Sequence, residues 1–196
     1  MKAQRAGLLL LSGGQGRRMG TAKHALAHPG GGTWGGHLVR VFEAVFPGAP
    51  LQVLGEPLPD RPDLTVVEDS REGPAAALRT WAAGEAPAAR RWWVLACDQV
   101  RWTPERLDAW ARRAEAADPQ ALHWVMARHG DRLQPLGGWV PASLRPAIAA
   151  AAHHSLMALA QSLPHLVLPA EGPEWLDVDT PEERRAFEDD ARPPNK

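Results

Sequence analysis

A three-layer α/β/α fold, with a mostly parallel sheet between two layers of helices, is predicted by three features of the chain. Two short runs, Ala6–Leu11 and "RWWVLACD" (Arg91–Asp98), are rich in apolar residues in the manner of strands buried on both faces. Strand-like and helix-like segments alternate, with no internal repeat and no long linker. Small and charged residues follow the predicted strands directly, and open α/β sheets bind their ligands there.

The elements follow in order. After the strand Ala6–Leu11 comes a helix over Trp34–Phe46, with Leu38, Val41, Phe42 and Val45 at helical spacing and Pro47–Gly48 as its stop. Leu51–Leu54 and Leu64–Val67 are two further short strands. Pro74 opens a helix over Pro74–Trp81. Beyond the strand Arg91–Asp98, Thr103 caps a helix with Pro104 at its first position, running to about Ala117. Leu122–Arg128 and Leu133–Val140 flank "HGD" as a hairpin. A helix over Ser143–Ala152 and a strand over His165–Leu168 precede "WLDVDTPEE", where a short strand overlaps Asp177–Asp179 and Thr180 caps the last helix. Residues 1–190 are expected to form a single domain, with 191–196 as a flexible tail.

Bulk properties narrow the function classes. With 196 residues, 44% hydrophobic and 23% charged, the chain can bury a sizeable core. Its net charge of −1 does not provide the basic field of a general nucleic-acid binder, so any cationic site is local. One cysteine, Cys97, excludes an intrachain disulfide and suits a reducing cytoplasm. No apolar stretch has the length of a membrane span or the form of a secretory signal. The lysines are Lys2, Lys23 and Lys196, so Lys23 is the one internal lysine in a chain that otherwise uses arginine.

Four segments carry chemistry. Ser12, Gly13, Gly14 and Gly16 follow the first strand and lead into Arg17, Arg18 and Lys23. Glycines let backbone N–H groups approach an anion, and the cations neutralise it; a tight structural turn is the competing reading. The spacing matches neither the P-loop nor the dinucleotide fingerprint. Asp98 ends a buried strand, a costly place for a carboxylate unless water, a donor or a metal meets it, and a lone strand-end carboxylate suits Mg²⁺. Glu68–Asp69 end another strand ahead of Gly73–Pro74, as a ligand-facing helix start or a plain turn. Asp177 and Asp179 share one face of an extended segment, and Asp179 stands beside a helix start that it could simply cap. Cys97 is expected to be a buried small hydrophobe, the histidines to be surface or packing residues, and the nine tryptophans to be core and arginine-stacking residues.

Together these segments resemble the molybdenum cofactor guanylyltransferase (MobA) family, within the nucleotidyltransferases of the glycosyltransferase-A-like fold. "LSGGQGRRMGTAK" is similar to the family's LAGGxSxRMGxDK, and "EDSREGPAAAL" to its EDxxxxxGPLAGL. "CDQV" stands for CDxP, "RLQPLGGW" for the QPL segment and "LDVDTPEE" for N-x-N-T-P-E-E. The resemblance implies a Rossmann-like nucleotidyltransferase that joins GTP to molybdopterin, releases pyrophosphate and uses Mg²⁺. It would place Leu11, Ser12, Gly13 and Gly14 at the nucleotide, with Arg17 and Lys23 on its phosphates. Asp69 would meet the guanosine part and Asp98 the metal, while Arg132, Gln134, Asp177 and Asp179 would lie on the acceptor or second-metal side. Transient contact with other cofactor-biosynthesis or acceptor proteins is implied as well.

This chain departs from the pattern at Ala22, where the family has aspartate, at Val100 for proline, within "VLGE" for an asparagine, and at Asp177 and Asp179 for asparagines. Two other readings follow from those departures: a related nucleotidyltransferase using CTP or another phosphorylated acceptor, and a non-catalytic nucleotide-binding regulatory protein.

Overall fold

The computed structural model describes residues 4–13, 22–69 and 71–191. The expectations for Gly14, Arg17, Arg18 and the tail 192–196 lie outside the described residues.

Seven strands form one sheet: β1 (Gln4–Leu11), β2 (Leu51–Leu54), β3 (Thr65–Val67), β4 (Ala89–Ala96), β5 (Trp124–His129), β6 (Arg132–Pro141) and β7 (His165–Ala170). Their spatial order is β3-β2-β1-β4-β6-β5-β7, with β6 antiparallel to both neighbours and every other pairing parallel. β1 and β4 are central and apolar on both faces because helices cover both. One layer holds α1 (Trp34–Val45) and α3 (Pro104–Ala117), over a core that includes Leu8, Leu10, Phe42, Trp93, Leu107 and Trp139. The other holds α2 (Pro74–Ala83), α4 (Arg145–Ala150) and α5 (Leu156–Ser162), over a core that includes Leu9, Trp81, Trp92, Trp124 and Ile148. α6 (Pro181–Asp190) closes the described chain. This is the doubly wound α/β architecture that the alternation predicts.

Local chemistry explains the element starts. The Thr33 and Thr103 side chains accept from Gly36 N and Arg106 N to cap α1 and α3. Thr180 and Glu183 form a capping box on α6. Gly73, at φ 99°, takes the left-handed turn that lets Pro74 begin α2.

Two expectations need correction. The helix expected over Ser143–Ala152 is a 3-10 turn at Ala142–Leu144 followed by α4, and a further helix, α5, begins at Leu156. His153–His154–Ser155 is the joint between them, with Ser155 capping α5 through Ala158 N. No strand overlaps Asp177–Asp179: this stretch makes no ladder, and Val178 N instead donates to Asp98 O at 3.0 Å.

The β5–β6 hairpin turns through Gly130–Asp131, as "HGD" predicts, with His129 opposite Arg132. β6 does not run smoothly. Ala127 pairs with Gln134 but Val125 with Trp139, so β6 carries extra residues in a bulge. Gly137, at φ 79°, sits in that bulge, and its carbonyl accepts the indole N–H groups of Trp93 at 2.8 Å and Trp110 at 2.9 Å. The β4–β6 ladder extends only from Arg91–Pro141 to Val94–Gly138.

Candidate functional site

β1 and β4 are sheet neighbours, but the chain leaves β1 toward β2 on one side and reaches β4 on the other. That makes the carboxyl edge between them a topological switch point, where open α/β sheets form a crevice. A pocket of about 400 Å³ opens there. Leu11, Leu54, Pro74, Ala77, Ala96 and Leu136 make it largely apolar, and Lys23, Asp69, Asp98 and Asp179 bring charge to it.

Lys23, in a short 3-10 turn (Lys23–Ala25), places its Nζ 3.1 Å from Asp98 Oδ2 and also donates to Asp179 Oδ1. The ammonium is 13% exposed, Asp98 23% and Asp179 46%, so the cluster runs from half-buried to open water. Burial by itself would lower the lysine pKa, but the Asp98 and Asp179 carboxylates outweigh it and hold it above the ordinary range. Burial pushes the Asp98 carboxyl up, and Lys23 only partly reverses this. Asp177 is pushed up to about 6, first by burial and then by the like charges of Asp98 and Asp179, with Lys23 and Arg132 opposing. Among the described residues, these three carboxylates are met by Lys23 and, at Asp177, by Arg132, which leaves them one positive charge short.

That shortage is the basis for judging a metal. Among the described residues no group of three or more His, Cys, Asp or Glu side chains is gathered to hold an ion. Asp98 and Asp179 nevertheless converge as two hard oxygen donors, and Mg²⁺ or Mn²⁺ takes one or two carboxylates together with substrate phosphates. The donor set therefore fits a divalent cation that arrives with a nucleotide.

The opposite wall is built around Gly13. A Cβ on Gly13 would lie 2.6 Å from Asp69 Oδ2, and one on Gly55 would lie 2.6 Å from Gly13 N. The β1 and β2 ends thus approach as closely as two glycines allow. Asp69 Oδ1 accepts from Arg71 N at 3.0 Å, while Oδ2 faces Gly13. Ser12 is buried and wholly engaged: its N–H donates to Leu54 O, its hydroxyl to Glu56 O at 2.6 Å, and its carbonyl lies 3.0 Å from His24 Nδ1. His24 braces the end of β1 through this contact, a role that sequence reading missed. Its only signal was the position next to Lys23.

Because β6 is antiparallel, its first residues reach the same edge as the ends of its parallel neighbours. Arg132 begins β6 and acts on Asp177, and Gln134 Nε2 approaches Trp175 O at 3.5 Å. Cys97 lines the pocket, but burial pushes its thiol well above the ordinary range, so it remains an unreactive small residue. All nine tryptophans are buried, and Arg113 and Arg145 lie over Trp110 and Trp81. Among the described residues no helix is long and apolar enough to cross a membrane.

Fold and switch point together define a Rossmann-like nucleotidyltransferase fold. The sequence profile of the MobA-like NTP transferase domain matches residues 8–166, and the chain belongs to that family. Solved structures agree. Rv0371c from Mycobacterium tuberculosis H37Rv is 25% identical at a TM-score of 0.66, covering 94% of this chain and 98% of that one. The same protein has also been solved as a complex with manganese. Molybdopterin-guanine dinucleotide biosynthesis protein A from Archaeoglobus fulgidus is 16% identical at a TM-score of 0.71, covering 93% and 97%. The 2-C-methyl-D-erythritol 4-phosphate cytidylyltransferase of Thermus thermophilus is 14% identical at 0.60, covering 93% and 97%. These last two likenesses concern the fold. No curated protein matches the sequence.

Proposed function

We propose that this chain is a cytoplasmic, single-domain guanylyltransferase that moves GMP from GTP to molybdopterin and releases pyrophosphate. The observation that carries the reading is the Lys23 ammonium held between Asp98 and Asp179 at the mouth of the pocket between the β1 and β4 ends.

In this reading Leu11 and Gly13 border the nucleoside, with Ser12 fixing the end of β1 between them; Gly14 would serve the nucleotide and Arg17 its phosphates. Lys23 neutralises the triphosphate. Asp69 offers an acceptor to the guanosine part, where a carboxylate oxygen suits the N–H donors on the guanine edge. Asp98, with Asp179 beside it, would hold Mg²⁺, which when bound supplies charge neutralisation for the departing pyrophosphate. An acceptor phosphate oxygen attacks the α-phosphorus, forming one P–O bond as the bond to the β-phosphate oxygen breaks. The protein's part is alignment and charge rather than a covalent intermediate, consistent with an inert Cys97. Arg132 and Gln134 would meet the acceptor.

A nucleotide panel tests this. GTP, CTP, ATP and UTP are each added with and without Mg²⁺, and thermal stabilisation and pyrophosphate release with molybdopterin are measured. GTP with Mg²⁺ is expected to stabilise most and to turn over, and Asp98→Ala to lose the metal-dependent release while remaining folded. Preference for CTP would overturn the guanylyl assignment, and equal metal-independent binding of all four would overturn transfer altogether.

A further inference from the structure

Beyond the two cores flanking the sheet, the described residues form a third apolar cluster: Leu26, Trp34, Val100, Val178 and Phe187. It is small, and its membership is specific. Leu26 lies three residues after Lys23, Val100 two after Asp98, and Val178 between Asp177 and Asp179. Each segment carrying a charged group of the site thus contributes one buried side chain to the same cluster.

Polar contacts tie the same pieces together. Leu26 N donates to Lys23 O at 3.1 Å, and Trp34 N to Leu26 O at 2.8 Å. Val178 N donates to Asp98 O at 3.0 Å, joining the second and third segments directly. Asp179 N donates to Glu183 Oε2 at 2.7 Å, joining the third segment to α6. Phe187, the cluster's contribution from α6, is 6% exposed. Its ring stands edge-on to Trp34 at 6.2 Å and tilted against His28 at 5.5 Å, with the Arg101 guanidinium 5.3 Å from its centroid. Phe187 therefore touches neighbours from the Lys23 and Asp98 segments, while its own helix holds the Asp179 segment.

We propose that Phe187 is a positioning residue for the site: through this third cluster, α6 sets the spacing of Lys23, Asp98 and Asp179, and so the seat of the nucleotide's triphosphate and its metal. The inference rests on reading those three residues as the reacting end of the pocket. The sheet alone does not fix that spacing. Lys23 lies far along the segment that follows β1, and Asp179 belongs to no strand. Carboxylates that open apart by an ångström would still be present but would no longer meet one ion and one phosphate together.

The test compares Phe187→Ala with Ile148→Ala, which empties a place in the core under α4, away from the site. Hydrogen exchange by mass spectrometry is read in segments 22–28, 98–102 and 176–180, alongside thermal stability and steady-state transfer with GTP and Mn²⁺ or Mg²⁺. Phe187→Ala is expected to raise exchange in all three segments together by about tenfold while β1 and β4 stay protected. It should lower kcat by about tenfold, with the KM for GTP within about twofold, and Phe187→Leu should recover most of the rate. Ile148→Ala should lose as much stability without those effects. Loosening confined to α6, or an equal fall in kcat for Ile148→Ala, would overturn the proposal. If Phe187→Ala does not fold, Phe187→Val, which removes the ring but leaves a smaller gap, is read against the wild type by the same exchange criterion. A wild-type protein that transfers no nucleotide would refute the guanylyltransferase reading, while the exchange pattern would independently decide whether the cluster couples the three segments.

Discussion

Replacing Lys23 by methionine keeps most of the side chain's length and removes its charge, so it isolates what the ammonium does. At 3.1 Å from Asp98, with an effective dielectric near 20, the attraction is about 5 kcal/mol. The half-exposed Asp179 adds at most about 1 kcal/mol. Opposing this, the variant no longer desolvates an ammonium that is 13% exposed, which returns several kcal/mol. The net expectation is a loss of about 2–4 kcal/mol, because Asp98 is left beside Asp177 and Asp179 without its ion-pair partner.

The assay is urea denaturation at neutral pH, low salt and in chelator, for wild type, Lys23→Met, Asp98→Asn and the double variant. The double-mutant cycle should give a coupling of about 2 kcal/mol, and Lys23→Met alone should be the least stable of the four. A coupling below about 0.5 kcal/mol would refute the reasoning: the ion pair would then be one of the many that contribute nothing measurable.

Two further outcomes are expected. Gly13→Ala forces the Asp69 carboxylate away from its place, so GTP-dependent thermal stabilisation should fall sharply while stability without nucleotide drops by only about 1 kcal/mol, checked by paired melts. His28 and His37 stack at 3.7 Å; burial, then the repulsion that a second proton on the His37–His28 pair would meet, then the Arg40 guanidinium push His28 down to about 4, and burial lowers His37 despite its contact with Trp102 O. Both are neutral when folded but titrate near 6.5 when unfolded, so their contribution is intact above pH 6.5 and is lost toward pH 4, by about 2 kcal/mol; His28→Phe should flatten that slope in denaturation measured across pH.

Much of the fold was legible because its signals are local. The β1 and β4 strands announce themselves as apolar runs, and Thr103, Thr180 and Pro74 mark helix starts by capping chemistry that acts within one turn. The strand-end carboxylates were legible for a similar reason, since a buried strand closed by aspartate calls for a partner. What stayed hidden depends on distance along the chain. The Lys23–Asp179 pairing spans a separation of 156 residues. Leu26, Val100 and Val178 are isolated apolar residues without periodicity, and nothing local says that they meet. His24 could be recognised as a brace only once Ser12 O was seen above it. The joint at 151–155 was read as a helix end when it divides two helices, because alanine-rich sequence favours helix on either side of it.

The bulge in β6 has a consequence for the origin of the pocket. β6 leaves β4 at Gly138, while β4 continues through Leu95 to Ala96, so the last rungs of that seam are unzipped. Ala96 and Leu136, which would sit near each other in a continued ladder, face the empty space instead. The cleft is thus a gap in a sheet, held open by two indole N–H groups on the Gly137 carbonyl. Shortening the bulge is expected to narrow the cavity on its β6 side without touching a single charged residue. Ligand space in this molecule is therefore set partly by a strand register that Trp93 of β4 and Trp110 of α3 hold through one carbonyl.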